Sequence, residues 1–170
     1  MIETNRLILR EWEQADLNDL YKILSDPETM SFWPEPFSRE GVQSWIDHSK
    51  QSFKEFGFGR MAIILKDSKK IIGDCGFKRA IIDGKEENDL GYIVYKDYWG
   101  QGLGMEASLA AFKYGIQQLG FKRIVANMED AHLASRAIAE KMGLTLEKTF
   151  LNPRNRNKKT LLLSWNVGEE

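Results

Sequence analysis

The residues best suited to chemistry lie between Asp89 and Ala107, where Asp89-Leu90-Gly91-Tyr92-Ile93-Val94-Tyr95 leads into Trp99-Gly100-Gln101-Gly102-Leu103-Gly104-Met105-Glu106-Ala107. The first half reads as a strand, the second as a glycine turn that opens a helix. Three glycines let the backbone pass close to a ligand, and the first N–H groups of a helix have no internal acceptors. Such a turn is shaped to hold a phosphate or pyrophosphate with backbone donors alone. A Walker loop needs Gly-Lys followed by Ser or Thr, and the dinucleotide fingerprint needs another glycine spacing; neither is present.

The elements that must position this turn follow from periodicity. Thr4 to Trp12 reads as a strand, and Leu17, Leu20, Tyr21 and Leu24 share one face of a helix over 15–26. Pro27, Pro34 and Pro36 break the chain into a loop over 26–37 that presents Phe32 and Trp33. Ser38 is placed to cap a second helix, which Gly57 ends. Segments 60–66, 70–82 and 88–95 then form an antiparallel meander with turns at Asp67-Ser68-Lys69 and Asp83-Gly84-Lys85. A helix over 102–119, a strand over 122–128, a helix over 131–142 closing at Gly143, and two strands around a 152–159 turn complete the chain. With no repeat and no low-complexity linker, the pattern predicts one α+β domain over 1–170.

Composition narrows the partners. With 24 Lys and Arg against 25 Asp and Glu, and a pI near 6.2, no global field attracts nucleic acid or an anionic membrane. The single cysteine, Cys75, excludes a disulfide framework and a cysteine-rich metal site. No secretory start and no run of 18 apolar residues is visible, so a soluble cytoplasmic protein is expected.

The Trp99-to-Ala107 segment resembles the acetyl-CoA pyrophosphate loop of the GNAT acetyltransferases. Downstream, Ala134-Ser135-Arg136 and Glu140-Lys141-Met142-Gly143-Leu144 resemble that family's Ala-Ser and Glu-Lys-x-Gly-Phe segments. The opening strand and the surroundings of Trp33 and Trp45 are similar to the RimJ/RimL-like branch, whose members include ribosomal-protein N-terminal acetyltransferases. The resemblance implies the GNAT (acyl-CoA N-acyltransferase) fold, a mixed, mostly antiparallel sheet flanked by helices. It implies acetyl-CoA as co-substrate, no metal, and a homodimer as a family-level expectation. Backbone groups of Ile93, Val94 and Tyr95 would bind pantetheine as an added strand. N–H groups of Gln101, Gly102, Leu103, Gly104 and Met105 would hold the pyrophosphate.

Family resemblance also implies direct attack of an amine on the acetyl thioester in a ternary complex. Asp89 stands where related sequences often carry Glu, which makes it the candidate base, with Glu87 in reserve; the alternative is a solvated acid near a turn. The tyrosine that protonates the departing thiolate in many members is replaced by Ala139, leaving Ser135 as donor, or else as a helix cap. His132 stands where Asn is common; it either reaches the pantetheine arm or is an exposed first-turn residue behind an Asp130 cap. Trp33, Glu35 and Phe37 lie on the loop that borders the amine site in this family, or merely cover the core. Arg154, Arg156, Lys158 and Lys159 read as a solvated hairpin turn, the alternative being a dock for an acidic partner such as ribosomal RNA near a protein substrate. The acceptor expected is a protein N-terminal α-amine; a small-molecule amine and a turnover-deficient CoA sensor are the alternatives.

Overall fold

Leu7 and Leu9 are wholly buried while Ile8 and Arg10, which alternate with them, are not, a period of two that puts their segment in a sheet with one face on a core. The computed structural model, which describes residues 1–169, shows this strand as β2 (Leu7–Glu11). It is paired with a two-residue β1 (Ile2–Glu3) and with β3 (Arg60–Leu65). Two long strands follow, β4 (Ile71–Ile82) and β5 (Lys85–Val94). The expected third strand begins at Lys85, three residues before Asn88. Asp83 and Gly84 both have positive φ (47° and 81°), so these two residues alone turn the chain.

Beyond β5 come β6 (Arg123–Glu129), β7 (Thr145–Asn152) and β8 (Lys158–Asn166). The sheet order is β1-β2-β3-β4-β5-β6-β8-β7. Every pairing is antiparallel except β5 with β6, which is parallel and holds at a single register pair, Asp89 with Val125. Past that pair the two strands diverge, and the sheet is split by a wedge whose apex is Asp89.

Helices cover both faces. α1 (Leu17–Leu24) and α2 (Arg39–Phe56) bury Leu20, Ile23, Leu24, Val42, Trp45 and Ile46 against Ala62, Ile64 and Ile93. α3 (Leu103–Gln117) and α4 (Leu133–Lys141) pack on the opposite face with Leu9, Ile63, Phe77, Leu90 and Met128. Ser38 caps α2 by accepting from the Gly41 N–H at 3.1 Å, and Gly57 ends it at φ 76°. α4 starts later than expected: His132 is its N-cap, and Asp130 instead pairs with Lys159 at 3.1 Å. Among the described residues, no helix is long and apolar enough to cross a membrane.

Candidate active site

The glycine turn is tied down from the chain's start. Glu106, in the first turn of α3, accepts from the Thr4 hydroxyl (2.6 Å), the Arg6 backbone N–H (2.8 Å) and Arg6 Nε (2.7 Å). Arg6 Nη1 also donates to the Gln101 carbonyl at 2.8 Å. Burial raises the Glu106 pKa, but these donors outweigh it and hold the carboxyl below its ordinary range. The opening strand thus fixes the turn. Gly102, at φ 73°, is the N-cap of α3, and no side chain caps it. The N–H groups of Gly100 through Met105 meet no acceptor among the described residues, and the first to bond is Glu106, to the Gly102 carbonyl at 3.0 Å. That row of free donors at a helix N-terminus fits a pyrophosphate.

Ile93, Val94 and Tyr95 divide between two roles. The Tyr95 N–H donates to the Ile72 carbonyl at 2.8 Å, inside the β4–β5 ladder. Successive residues of a strand point their backbone groups in opposite directions, so Val94 faces the wedge. Its carbonyl already accepts from the Trp99 indole at 2.7 Å, so the Val94 N–H is the backbone group it can turn to a ligand in the wedge. Trp99, half-exposed, therefore staples the turn to the strand end, a role invisible from its type alone. Gly104 matters for a second reason: a Cβ there would stand 2.9 Å from the Tyr92 ring, so only glycine lets α3 approach β5 this closely.

A cavity of about 600 Å³ opens at the wedge, lined on one side by Tyr92, Ser108, Ser135 and Ile138 and on the other by Arg60, Lys78, Asp89 and Asn127. The register explains the division. Lys78 pairs with Asp89 and Gly76 with Gly91, and Arg60 pairs with Gly76, so these residues share the α1–α2 face. Leu90 and Tyr92 point to the α3–α4 face. The cavity therefore runs through the sheet.

On the α1–α2 side lies a buried polar group. Asp74, fully buried, accepts from Trp12 Nε1 (2.8 Å), Trp45 Nε1 (2.9 Å) and Arg60 Nε. The Arg60 guanidinium packs over Trp45 and against Gly91, where a Cβ would strike Nη1. Asp89 accepts from Asn127 Nδ2 at 3.0 Å. Desolvation pushes the Asp89 pKa up; the Arg60 charge and the Asn127 bond oppose this only in part. A carboxylate with a raised pKa at the apex of a cavity is suited to take a proton. Glu87, the reserve base, is instead buried in a bidentate pair with Arg123 at 2.8 Å and does not line the cavity. Burial drives the Cys75 thiol to about 12, so it is no nucleophile.

On the α3–α4 side, Ser135, in the first turn of α4, and Tyr92 both line the cavity, and Ser135 opposes the rise that burial gives the Tyr92 pKa. Burial raises Tyr92 to about 12, so it stays a neutral donor at physiological pH. His132 is half-buried, not exposed as the first-turn reading has it: its ring stacks on Phe32 with centroids 4.1 Å apart and planes 12° from parallel. Burial lowers its pKa against the pull of Glu129, leaving it neutral at pH 7. Of the acceptor-loop residues, Trp33 lines the cavity, Phe37 packs edge-on against Trp33 and Trp45, and Glu35 is exposed and apart from the cavity. The β7–β8 turn roofs the cavity: Asn155 Nδ2 donates to the Phe32 carbonyl at 3.1 Å and Arg156 Nη2 to that of Trp33 at 3.4 Å. Arg60, Lys78 and Asn127 escape detection in the sequence as site residues, since only strand register brings them together.

The sequence matches the model of the acetyltransferase (GNAT) domain over residues 6–145. The chain belongs to the GNAT acetyltransferases. It is 33% identical over 141 residues to the uncharacterized N-acetyltransferase p20 of Bacillus licheniformis, covering 78% of this chain and 75% of p20. Its fold is similar to that of a GNAT-family acetyltransferase from Bacillus anthracis, with a TM-score of 0.82, 23% identity and 99% of both chains covered. A ribosomal L7/L12 α-N-protein acetyltransferase solved with coenzyme A also shares the GNAT fold, with a TM-score of 0.77, 15% identity, and 98% and 97% of the two chains covered. The GNAT fold and N-acetyltransferase class expected from the sequence are those of this molecule, and acetyl-CoA as co-substrate accords with them.

Proposed function

We propose that this GNAT enzyme transfers acetyl from acetyl-CoA to an α-amine that enters from the α1–α2 side, with Asp89 as base. The observation that carries the reading is the position of Asp89, desolvated and hydrogen-bonded at the apex where the two halves of the cavity meet. An α-amine of pKa near 8 is already about a tenth neutral at pH 7, so a carboxylate acting directly or through water suffices; a lysine-type amine near 10.4 would demand far more. The free N–H groups of Gly100 to Met105 would hold the pyrophosphate, and Val94 would hold the pantetheine arm. The amine nitrogen attacks the thioester carbon, the C–S bond breaks, and the amine's proton passes to Asp89.

The departing thiolate needs a proton, and the Tyr92–Ser135 pair is placed to give one. With Ala139 where the usual tyrosine stands, Tyr92 supplies the missing hydroxyl from the strand instead of the helix. Tyr92→Phe should therefore lower kcat roughly tenfold to a hundredfold with little change in the KM for acetyl-CoA, and Ser135→Ala should act in the same direction more weakly. Steady-state kinetics with a matched amine checks this; unchanged kcat in both variants removes the pair from the proton path.

The acceptor we favour is a polypeptide N-terminus. The roof made by Asn155 and Arg156 over the Phe32–Trp33 loop favours a second reading, a small-molecule α-amine, because it limits the width of what can enter. Free-thiol release from acetyl-CoA across N-terminal peptides, amino acids, polyamines and aminoglycosides decides between them. Turnover confined to polyamines or aminoglycosides would overturn the α-amine reading.

A further inference from the structure

The α1–α2 side of the cavity has more positive charge than its carboxylates use. Asp83 is matched by Lys148 at 2.8 Å, and Glu129 lies 3.9 Å from Lys158. Asp74 is matched by Arg60. What remains facing the cavity is one carboxylate, Asp89, and two cations, Lys78 and Arg154, neither with a carboxylate within ion-pair distance among the described residues. Beside them Arg60, only 5% exposed, has a buried Nη2 with no hydrogen-bond partner among the described residues. A buried guanidinium N–H without an acceptor is costly. Lys78 and Asp89 are directly opposed on adjacent strands yet do not close an ion pair. The Lys78 ammonium sits over the Trp45 ring and is depressed first by desolvation and then by the Arg60 charge. The cations repel one another and lack an anion.

We propose that the acceptor is a zwitterion, an α-amine carrying a carboxylate a few bonds away, whose ammonium end meets Asp89 while its carboxylate is held by Lys78, Arg154 and the unpartnered edge of Arg60. This rests on the α-amine reading and deepens it by naming the second group the acceptor must carry. Two sources offer that chemistry: a free amino acid through its own α-carboxylate, or a peptide that begins with an acidic residue through its side chain. Charge-assisted bonds to a carboxylate in a partly desolvated cavity discriminate strongly against a neutral isostere, because the isostere leaves the cations unpaired.

The test compares matched acceptors with the full-length enzyme and acetyl-CoA: amino acids against their carboxamides, and peptides beginning Asp or Glu against those beginning Asn or Gln. For at least one pair, kcat/KM should favour the carboxylate by about thirtyfold, carried by KM, and Lys78→Gln should shrink that ratio to within about threefold. Arg154→Gln, on an exposed turn, should shrink it partly and provides a variant with little risk to folding. Which pair shows the effect identifies the source. Equal kcat/KM for acid and amide in both sets overturns the zwitterion inference while leaving α-amine acetylation intact, as does a preference that persists unchanged in both variants. Absence of turnover on every α-amine, with turnover on other amines, overturns both.

Discussion

Asp89→Asn should reduce kcat/KM by about a hundredfold or more, the scale expected when a positioned general base is removed. It should do so without unfolding the protein. Asn can keep the oxygen that accepts from Asn127 at 3.0 Å and remains nearly isosteric. Asp89 has a pKa raised above the ordinary 3.8, chiefly by desolvation. A raised pKa means that the ionised form is penalised on folding. The associated stability is fully present below the unfolded pKa and is lost as pH rises through the folded one. At pH 7 wild type bears that penalty and the Asn variant does not, so the variant should be at least as stable there. Its advantage should shrink as the pH is lowered and Asp89 protonates. Thermal unfolding across pH checks the second part, and kcat/KM against pH checks the first: the acidic limb set by Asp89 should be missing from the variant. A variant that is both active and less stable at pH 7 would show Asp89 to be a structural acid.

Asp74→Ala should have the largest effect on stability, about 3–5 kcal/mol, because it strands a buried cation. Its two oxygens serve Arg60 Nε and the indoles of Trp12 and Trp45, and none of the four side chains is more than 9% exposed. Removing the carboxylate leaves one guanidinium charge and two indole donors without acceptors, besides the Nη2 already unpaired. Asp74→Asn, which keeps one acceptor oxygen for the indoles but not the charge, should fall between wild type and Ala. Urea denaturation gives both values; a loss below about 1 kcal/mol for the alanine variant would mean that Arg60 finds water or another acceptor once Asp74 is gone.

The same cluster shows where sequence reading stops. The glycine turn, the Ser38 cap and the order of helices and strands were legible because each depends on residues within about a turn or a strand of one another. Asp74 lies in an apolar run, 62 residues from Trp12 and 29 from Trp45, so nothing local marks it as the hub of a buried charge. Lys78 and Asp89 become neighbours only once the hairpin register is set by the Asp83-Gly84 turn. That turn also moves Asp89 from near a strand's start to the interior of a ten-residue strand, which distinguishes a desolvated acid from a solvated one. β1, two residues long, is too short to show a period. Glu35 had the right charge and the right loop, but three prolines in that segment do not fix which side chains turn inward. Tyr92 was visible as a strand aromatic, whereas its contact with Ser135, 43 positions away, belongs to tertiary packing.

Donor and acceptor should enter the split sheet from opposite faces and meet at Asp89. A crystal structure with coenzyme A bound tests it most directly. The pyrophosphate should lie on the N–H groups between Gly100 and Met105, the pantetheine against Val94, and the sulfur beside the Tyr92 and Ser135 hydroxyls at the mouth of the passage to Asp89. A sulfur that ends on the α1–α2 side, or outside the β5–β6 wedge, would contradict it.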